Sequence, residues 1–250
     1  MRGTPATNGP RFAARPLTGG GTPVQAWLDV PRPPELDLTA CTGLIVIAAH
    51  PDDETLGMGA TIAQLAAAGV NVEVVSVSDG GAARPDASVA ERARLEGARR
   101  DELFNAAAVL GVGTPRTLRL PDGRLGEHEG RLAGLIGEIL RDCPPGSWCA
   151  ANWRGDGHPD HEAVGRAAAT ACARTGVTLL EYPVWMWHWA SPGDPVVPWN
   201  RALSMPLERW AVERKSEAAQ CFSSQFEGRD PVLPAFVLRR LLAVGEVVFR

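Results

Sequence analysis

The chain has 250 residues, 45% of them hydrophobic, and a formal net charge of −4. That length suits one domain with a sizeable core, while the acidic balance gives no electrostatic footprint for nucleic acid and no apolar run reaches membrane-spanning length. The five cysteines are scattered and lack a CxxC pair, which argues against a disulfide framework or a cysteine metal site, and the N-terminus lacks a secretory apolar core, so a cytoplasmic protein is expected.

Residues 1–40 are rich in Gly, Pro, Thr and Arg and include Gly19-Gly20-Gly21. They read as a flexible N-terminal extension, with room for a short ordered piece around Val24, Trp27 and Leu28. Residues 41–250 read as a single domain. An apolar strand over 44–48 enters a polar turn, and a helix pattern runs from Glu54 to about Ala68 before Gly69 stops it. Alternating segments follow: a strand at 70–77, a helix at 88–110, a short strand at 117–120 and a helix at 129–141. A strand at 148–151, a helix to Arg174 and a strand at 177–182 complete the series. This order predicts an α/β, Rossmann-like, doubly wound and mostly parallel sheet with helices on both faces. No GxGxxG follows the first strand, so a dinucleotide site is not indicated. Gly57 and Gly59 instead suggest close approach of a helix. Residues 247–249 suit a closing edge strand.

Two polar clusters stand where strands end. His50, Asp52, Asp53 and Glu54 place four ionisable groups in five positions. His50 and Asp53, three apart at a helix entrance, could reach one ion, and an imidazole nitrogen with a carboxylate oxygen suits zinc or another divalent transition metal such as Fe2+. Asp52 is then free for proton transfer; a capped helix start is the alternative. The second cluster, His158-Pro159-Asp160-His161-Glu162, repeats the arrangement. Open α/β sheets bind ligands at the carboxyl ends of their strands, so both clusters can converge there. His50, Asp53 and one histidine of the second cluster would leave an open position for water, as in a catalytic zinc site.

These residues resemble the LmbE/PIG-L family of zinc-dependent N-acetylglucosaminyl deacetylases. The leading signature resembles Ala49-His50-Pro51-Asp52-Asp53-Glu54 with Gly57 and Gly59, and the later one His158-Pro159-Asp160-His161. Arg99, Glu102, Leu120-Pro121-Asp122-Gly123, Lys215 and Ser224-Gln225 also match family positions. The resemblance implies a hydrolase that frees acetate from a small-molecule amino-sugar glycoside, including roles in secondary metabolism. It also implies His50, Asp53 and His161 as metal ligands. Asp52 is the expected base, His158 the expected oxyanion partner and proton donor, and Asp160 the group that orients His158 and raises its pKa. A zinc amidase for larger acyl or thiol-conjugate amides is the alternative, followed by a non-catalytic metal- or sugar-binding protein.

Arg84, Asn152 and Arg154 are candidate substrate contacts because each adjoins a strand end. The Trp/Pro-rich segment 183–210 holds five of the eight tryptophans. Trp187 and Trp189 are its candidate substrate wall, with a satellite core as the alternative. The sequence leaves the oligomeric state open.

Overall fold

Strand β1 (Gly43–Ala48) is buried along its whole length, and its alternation sets the layering. Leu44 and Val46 enter one apolar cluster while Ile45 and Ile47 enter another, because successive strand side chains point to opposite faces. The computed structural model describes residues 7–84, 86–226 and 231–250. Its sheet contains β1, β2 (Asn71–Ser76), β3 (Arg116–Thr117), β4 (Trp148–Asn152), β5 (Thr178–Tyr182), β6 (Ala202–Ser204) and β7 (Val247–Phe249). The order is β3-β2-β1-β4-β5-β7-β6. The first five strands pair in parallel. Helices Asp53–Ala67, Val89–Leu110 and Ala235–Val244 contribute to the first cluster, and helices Glu129–Arg141 and Pro159–Thr175 to the second. The fold is therefore the expected doubly wound α/β sheet.

After β1 the chain adds β2 and β3 on one side, then crosses back to add β4 and β5 on the other. The crevice between the carboxyl ends of β1 and β4 is thus the topological switch point, the usual ligand position in such sheets. Both polar clusters lie there.

Two expectations change. Strand β7 is not at the edge: it runs antiparallel between β5 and β6. The edge strand β6 is three residues long inside a Trp/Pro-rich stretch, too short for a readable period. Residues 7–40 also depart from a flexible lead-in; residues 1–6 of that extension lie outside the described residues. Asn8 N–H donates to Glu162 at 2.9 Å, the Trp27 indole N–H donates to Trp187 O at 3.1 Å, and Leu36 N–H donates to Ser204 O at 2.9 Å. Trp27 and Leu36 are buried. Widely spaced apolar anchors hold this segment, and average composition does not display them.

Gly57 and Gly59 do permit close approach. A Cβ at Gly57 would stand 2.2 Å from Tyr182 Cδ2, and one at Gly59 would stand 3.0 Å from Lys215 Cγ. The Tyr182 ring is buried and its hydroxyl donates to Ile47 O at 3.0 Å, so it has little freedom to yield. Gly57→Ala should therefore destabilise the protein by about 1–3 kcal/mol, the usual scale for overpacking. A thermal melt reads this as a lower Tm; an unchanged Tm would show that Tyr182 can move aside.

Candidate active site

The site begins in the turn after β1. Asp52 has φ 126° and ψ −30°, a region that costs a non-glycine residue on the order of 1–3 kcal/mol. The surroundings hold it there: Asp52 N–H donates to Glu54 Oε2 at 3.1 Å, and Leu56 N–H donates to Asp52 O at 2.8 Å. Arg99 donates to Pro51 O at 2.6 Å and lies 3.3 Å from Asp52 Oδ1. Asp52 thereby faces a cavity of about 160 Å³ that is also lined by His50, Asp53, Asp122, His158 and His161.

Asp53 opens the helix Asp53–Ala67. Its Oδ2 accepts from His50 N–H at 3.0 Å and stands 3.4 Å from His50 Nδ1 and 3.2 Å from His161 Nε2. The other His50 nitrogen, Nε2, lies 3.0 Å from Asp122 and 3.3 Å from Asp160. On the far side of His161, Asp156 Oδ2 lies 2.8 Å from Nδ1. His50, His158 and His161 offer nitrogens within 4.8 Å of one another, and His50, Asp122 and Asp160 form a second such group.

The charges in this cluster shift one another. Burial alone would lower the His161 pKa, but the Asp53 charge and hydrogen bonds to Asp156 and Asp53 raise it to about 9. Burial likewise opposes His50, yet hydrogen bonds to Asp122, Asp160 and Asp53 hold it well above the usual histidine range. Burial would raise Asp53, but the His161 and His50 contacts hold it well below the carboxylate range. Protons on two imidazoles thus supply positive charge to a site crowded with carboxylates. A divalent cation could supply the same charge. Imidazole nitrogens and carboxylate oxygens are suitable donors for it, and Asp156 behind His161 is the usual orienting partner of a ligating histidine. The residues fit such an ion.

Asp52 and His158 are shifted the other way. Burial raises Asp52 to about 7, with Arg99 opposing and Asp53 and Glu54 reinforcing the rise. Burial lowers His158 well below the usual range, and repulsion from His161 and His50 adds to this. His158 caps the helix Pro159–Thr175, its Nδ1 accepting Asp160 N–H at 3.3 Å. A neutral imidazole accepting at Nδ1 carries its proton on Nε2. The expectation that Asp160 accepts a His158 ring proton and raises its pKa is therefore corrected. The Asp160 carboxylate instead accepts from Gly123 N–H at 2.7 Å and Leu125 N–H at 3.0 Å, beside His50. Two loop N–H groups aimed at the same carboxylate fix its direction.

The structure brings together His50, Asp52, Asp53, His158, Asp160 and His161. It places the other candidates elsewhere. Arg84 is exposed and does not line this cavity. Asn152 is fully buried below the site; its Oδ1 accepts Ala49 N–H at 2.8 Å and its Nδ2 lies 3.2 Å from His161 Nδ1. Arg154 turns away to Glu181, with contacts of 2.7 and 2.8 Å. Trp187 and Trp189 are buried, with Trp187 edge-on to Trp27 and Trp189 donating to Asp156 O at 2.7 Å. Trp185 is the tryptophan that lines the cavity. Sequence reasoning placed Trp185 in the Trp/Pro-rich wall segment but singled out Trp187 and Trp189 from it, missed Asp156, and read Asp122 only as a turn residue. The Gly155-Asp156-Gly157 run five residues before His161 was the available signal for Asp156.

Residues 45–172 match the family described as GlcNAc-PI de-N-acetylase, PIG-L. Among curated relatives, a 1D-myo-inositol 2-acetamido-2-deoxy-alpha-D-glucopyranoside deacetylase from Mycolicibacterium gilvum is 31% identical over 182 residues, covering 60% of each chain. The chain spans 35–60% of the length of the first curated relatives it matches. Among solved structures, the A40926 pseudoaglycone deacetylase Dbv21 aligns at TM-score 0.62 and 24% identity, over 83% of this chain and 96% of that one. A 4-carboxy-2-hydroxymuconate hydratase from Pseudomonas putida aligns at TM-score 0.57 and 19% identity, over 81% and 84%. At these identities the structural matches speak for the fold alone.

A metal held by His50 and His161 would have to displace their protons. The affinity for one divalent cation should therefore rise with pH through about 9, where His161 loses its proton, and binding at pH 7 should release protons. Calorimetry in buffers of different protonation enthalpy measures this, and binding without proton release would contradict the ligand set. Asp156→Asn should weaken metal binding about 10–100-fold, the scale for losing a partner of a ligating histidine. Competition against a chelator reads the change; unaltered affinity would remove Asp156 from this role.

Proposed function

The chain belongs to the GlcNAc-PI de-N-acetylase (PIG-L) family, and from that premise we propose that it is a metal-dependent N-deacetylase. Its substrate is an N-acetylglucosaminyl-type small-molecule glycoside, and its products are acetate and a free amine. One observation carries this reading: a strained, buried Asp52 titrating near 7 lines the same cavity as the His50, Asp53 and His161 donor set. A hydratase shares the fold, so the sheet topology alone does not argue for amide hydrolysis. The curated relatives' names support an amino-sugar substrate.

His50, Asp53 and His161 would hold the ion, with Zn2+ the proposed occupant and Fe2+ another that fits the donors. When bound, such an ion acidifies water and polarises a carbonyl. Asp52 takes the proton of the attacking water, and a carboxylate titrating near neutrality is suited to that task. Arg99 holds the Asp52 carboxylate in place through the 3.3 Å contact. The His158 Nε2–H donates to the oxygen that becomes negative as the tetrahedral centre forms. Because His158 is held neutral, it serves as a hydrogen-bond donor, and Asp52 returns the captured proton to the departing amine nitrogen. The proton taken from water thus leaves on the amine, and the hydroxyl stays with the acetyl carbon as acetic acid, which gives up its proton to solvent to become acetate. Trp185, 5.1 Å from Phe12, supplies the aromatic wall of the cavity.

None of the five cysteines is disulfide-bonded, which suits the proposed cytoplasmic setting. No helix among the described residues is long and apolar enough to cross a membrane.

Acetate release from a panel of N-acetylglucosaminyl glycosides tests the activity. Turnover should vanish with chelation and return with zinc; no acetate from any metal-loaded assay would overturn the proposal. Asp52→Asn should keep its metal and lose about 10²-fold or more in kcat. His158→Ala should also stay metallated and lose kcat more than KM, since its contact forms only beyond the ground state. Normal kcat in metallated Asp52→Asn enzyme would rule out this base.

A further inference from the structure

A second cavity, of about 410 Å³, shares no lining residue with the catalytic one. Every residue that lines it lies outside the family-matched region 45–172. Residues 27–33, the Trp/Pro-rich segment and the C-terminal segment build it together. Three indoles form its walls. Trp27 stands edge-on to Trp187 with ring centres 5.0 Å apart, and Trp199 is tilted against Trp27 at 5.9 Å.

The polar groups restrict what the cavity can hold. The Trp27 and Trp199 indole N–H groups donate to Trp187 O and Asp194 O. The Trp187 N–H has no hydrogen-bond partner among the described residues. Arg32 is the one lining residue with an ionisable side chain, and among the described residues it has no carboxylate partner. A sugar would leave its hydroxyls short of partners against these indoles and prolines. Aromatic cages can also hold cations, but this cage contains no carboxylate and carries a guanidinium. Free donors on apolar walls suit an acceptor on a flat apolar body.

We propose that this cavity is a second ligand site, for a small flat apolar or aromatic carboxylate. The rings stack on the tryptophan walls, and the carboxylate meets Arg32 and the free Trp187 N–H. The site does not depend on the deacetylase reading.

Calorimetric titration of the metal-loaded protein with 2-naphthoate, 2-naphthamide and 2-naphthyltrimethylammonium tests it, because one ring system then carries three charges. Naphthoate should bind saturably with one site per chain. The neutral amide should bind about 3- to 5-fold more weakly, the scale of an ion pair at a solvated rim, and the cation more weakly still. Arg32→Gln should bring naphthoate and naphthamide to equal affinity. Val30, 40% exposed and part of the lining, allows a blocking variant: Val30→Trp should abolish naphthoate binding. Both variants should retain the parent's acetate release, which separates this test from that of the proposed function. Absence of saturable binding, equal binding of the cation, or a charge preference that survives Arg32→Gln would each overturn the proposal. So would naphthoate binding intact in a folded Val30→Trp protein, because the ligand would then sit elsewhere, as at the metal centre.

Discussion

A single buried carboxylate, Asp156, joins the parts that make the site. One oxygen lies 2.8 Å from His161 Nδ1, while the carboxylate accepts the backbone N–H groups of Val184, Trp185 and Met186 at 2.9–3.0 Å. A buried charge is expensive unless it is paired and fully hydrogen-bonded, so these partners cannot be given up separately. The end of β4, the helix that carries His161 and the loop after β5 are thereby fixed to one another. His161 is oriented toward Asp53 and Trp185 toward the cavity by the same side chain. The Trp189 indole, donating to Asp156 O, closes the arrangement from behind.

The rest of the site follows from an excess of negative charge. Asp53, Asp122, Asp156 and Asp160 surround His50 and His161, and the imidazoles respond by holding protons. Asp52 belongs to the same crowd but has Arg99 as its principal cationic neighbour, and burial leaves it near neutrality instead of fully acidic. Neighbouring residues, Asp52 and Asp53, thus have opposite shifts because their partners differ. Such a separation suits the proposed division in which one carboxylate holds charge and the next moves a proton.

Beyond the family-matched stretch, the chain adds surfaces that the sheet alone lacks. Asn8 bonds Glu162, one residue after His161, and Phe12 packs 5.1 Å from Trp185. Trp27 packs on Trp187 on the other side of the same short helix, Met186–Trp189. The helix therefore divides two cavities, with Trp185 facing the one lined by His50 and His161 and Trp187 the other.

The sequence by itself determined the parallel sheet and which polar residues meet at its strand ends, because both are written in local spacing. The apolar run of 44–48 announces a doubly buried strand, and His50-Pro51-Asp52-Asp53 and His158-Pro159-Asp160-His161 each stand at a helix entrance where their side chains converge. Gly57 was also legible as a point of close approach. Only the tertiary structure decided the partners. Asp160 turns to the 123–125 loop instead of His158, since those N–H groups come from 35 or more residues away in sequence. Arg154 meets Glu181, Asn152 sinks beneath His161, and Trp185 takes the place expected of Trp187 and Trp189. An edge strand of three residues and an N-terminal segment held by isolated anchors carry no period to read. Spacing along the chain fixes which residues stand at a strand's end, whereas the satisfaction of buried charges and indole N–H groups depends on neighbours brought in by the fold.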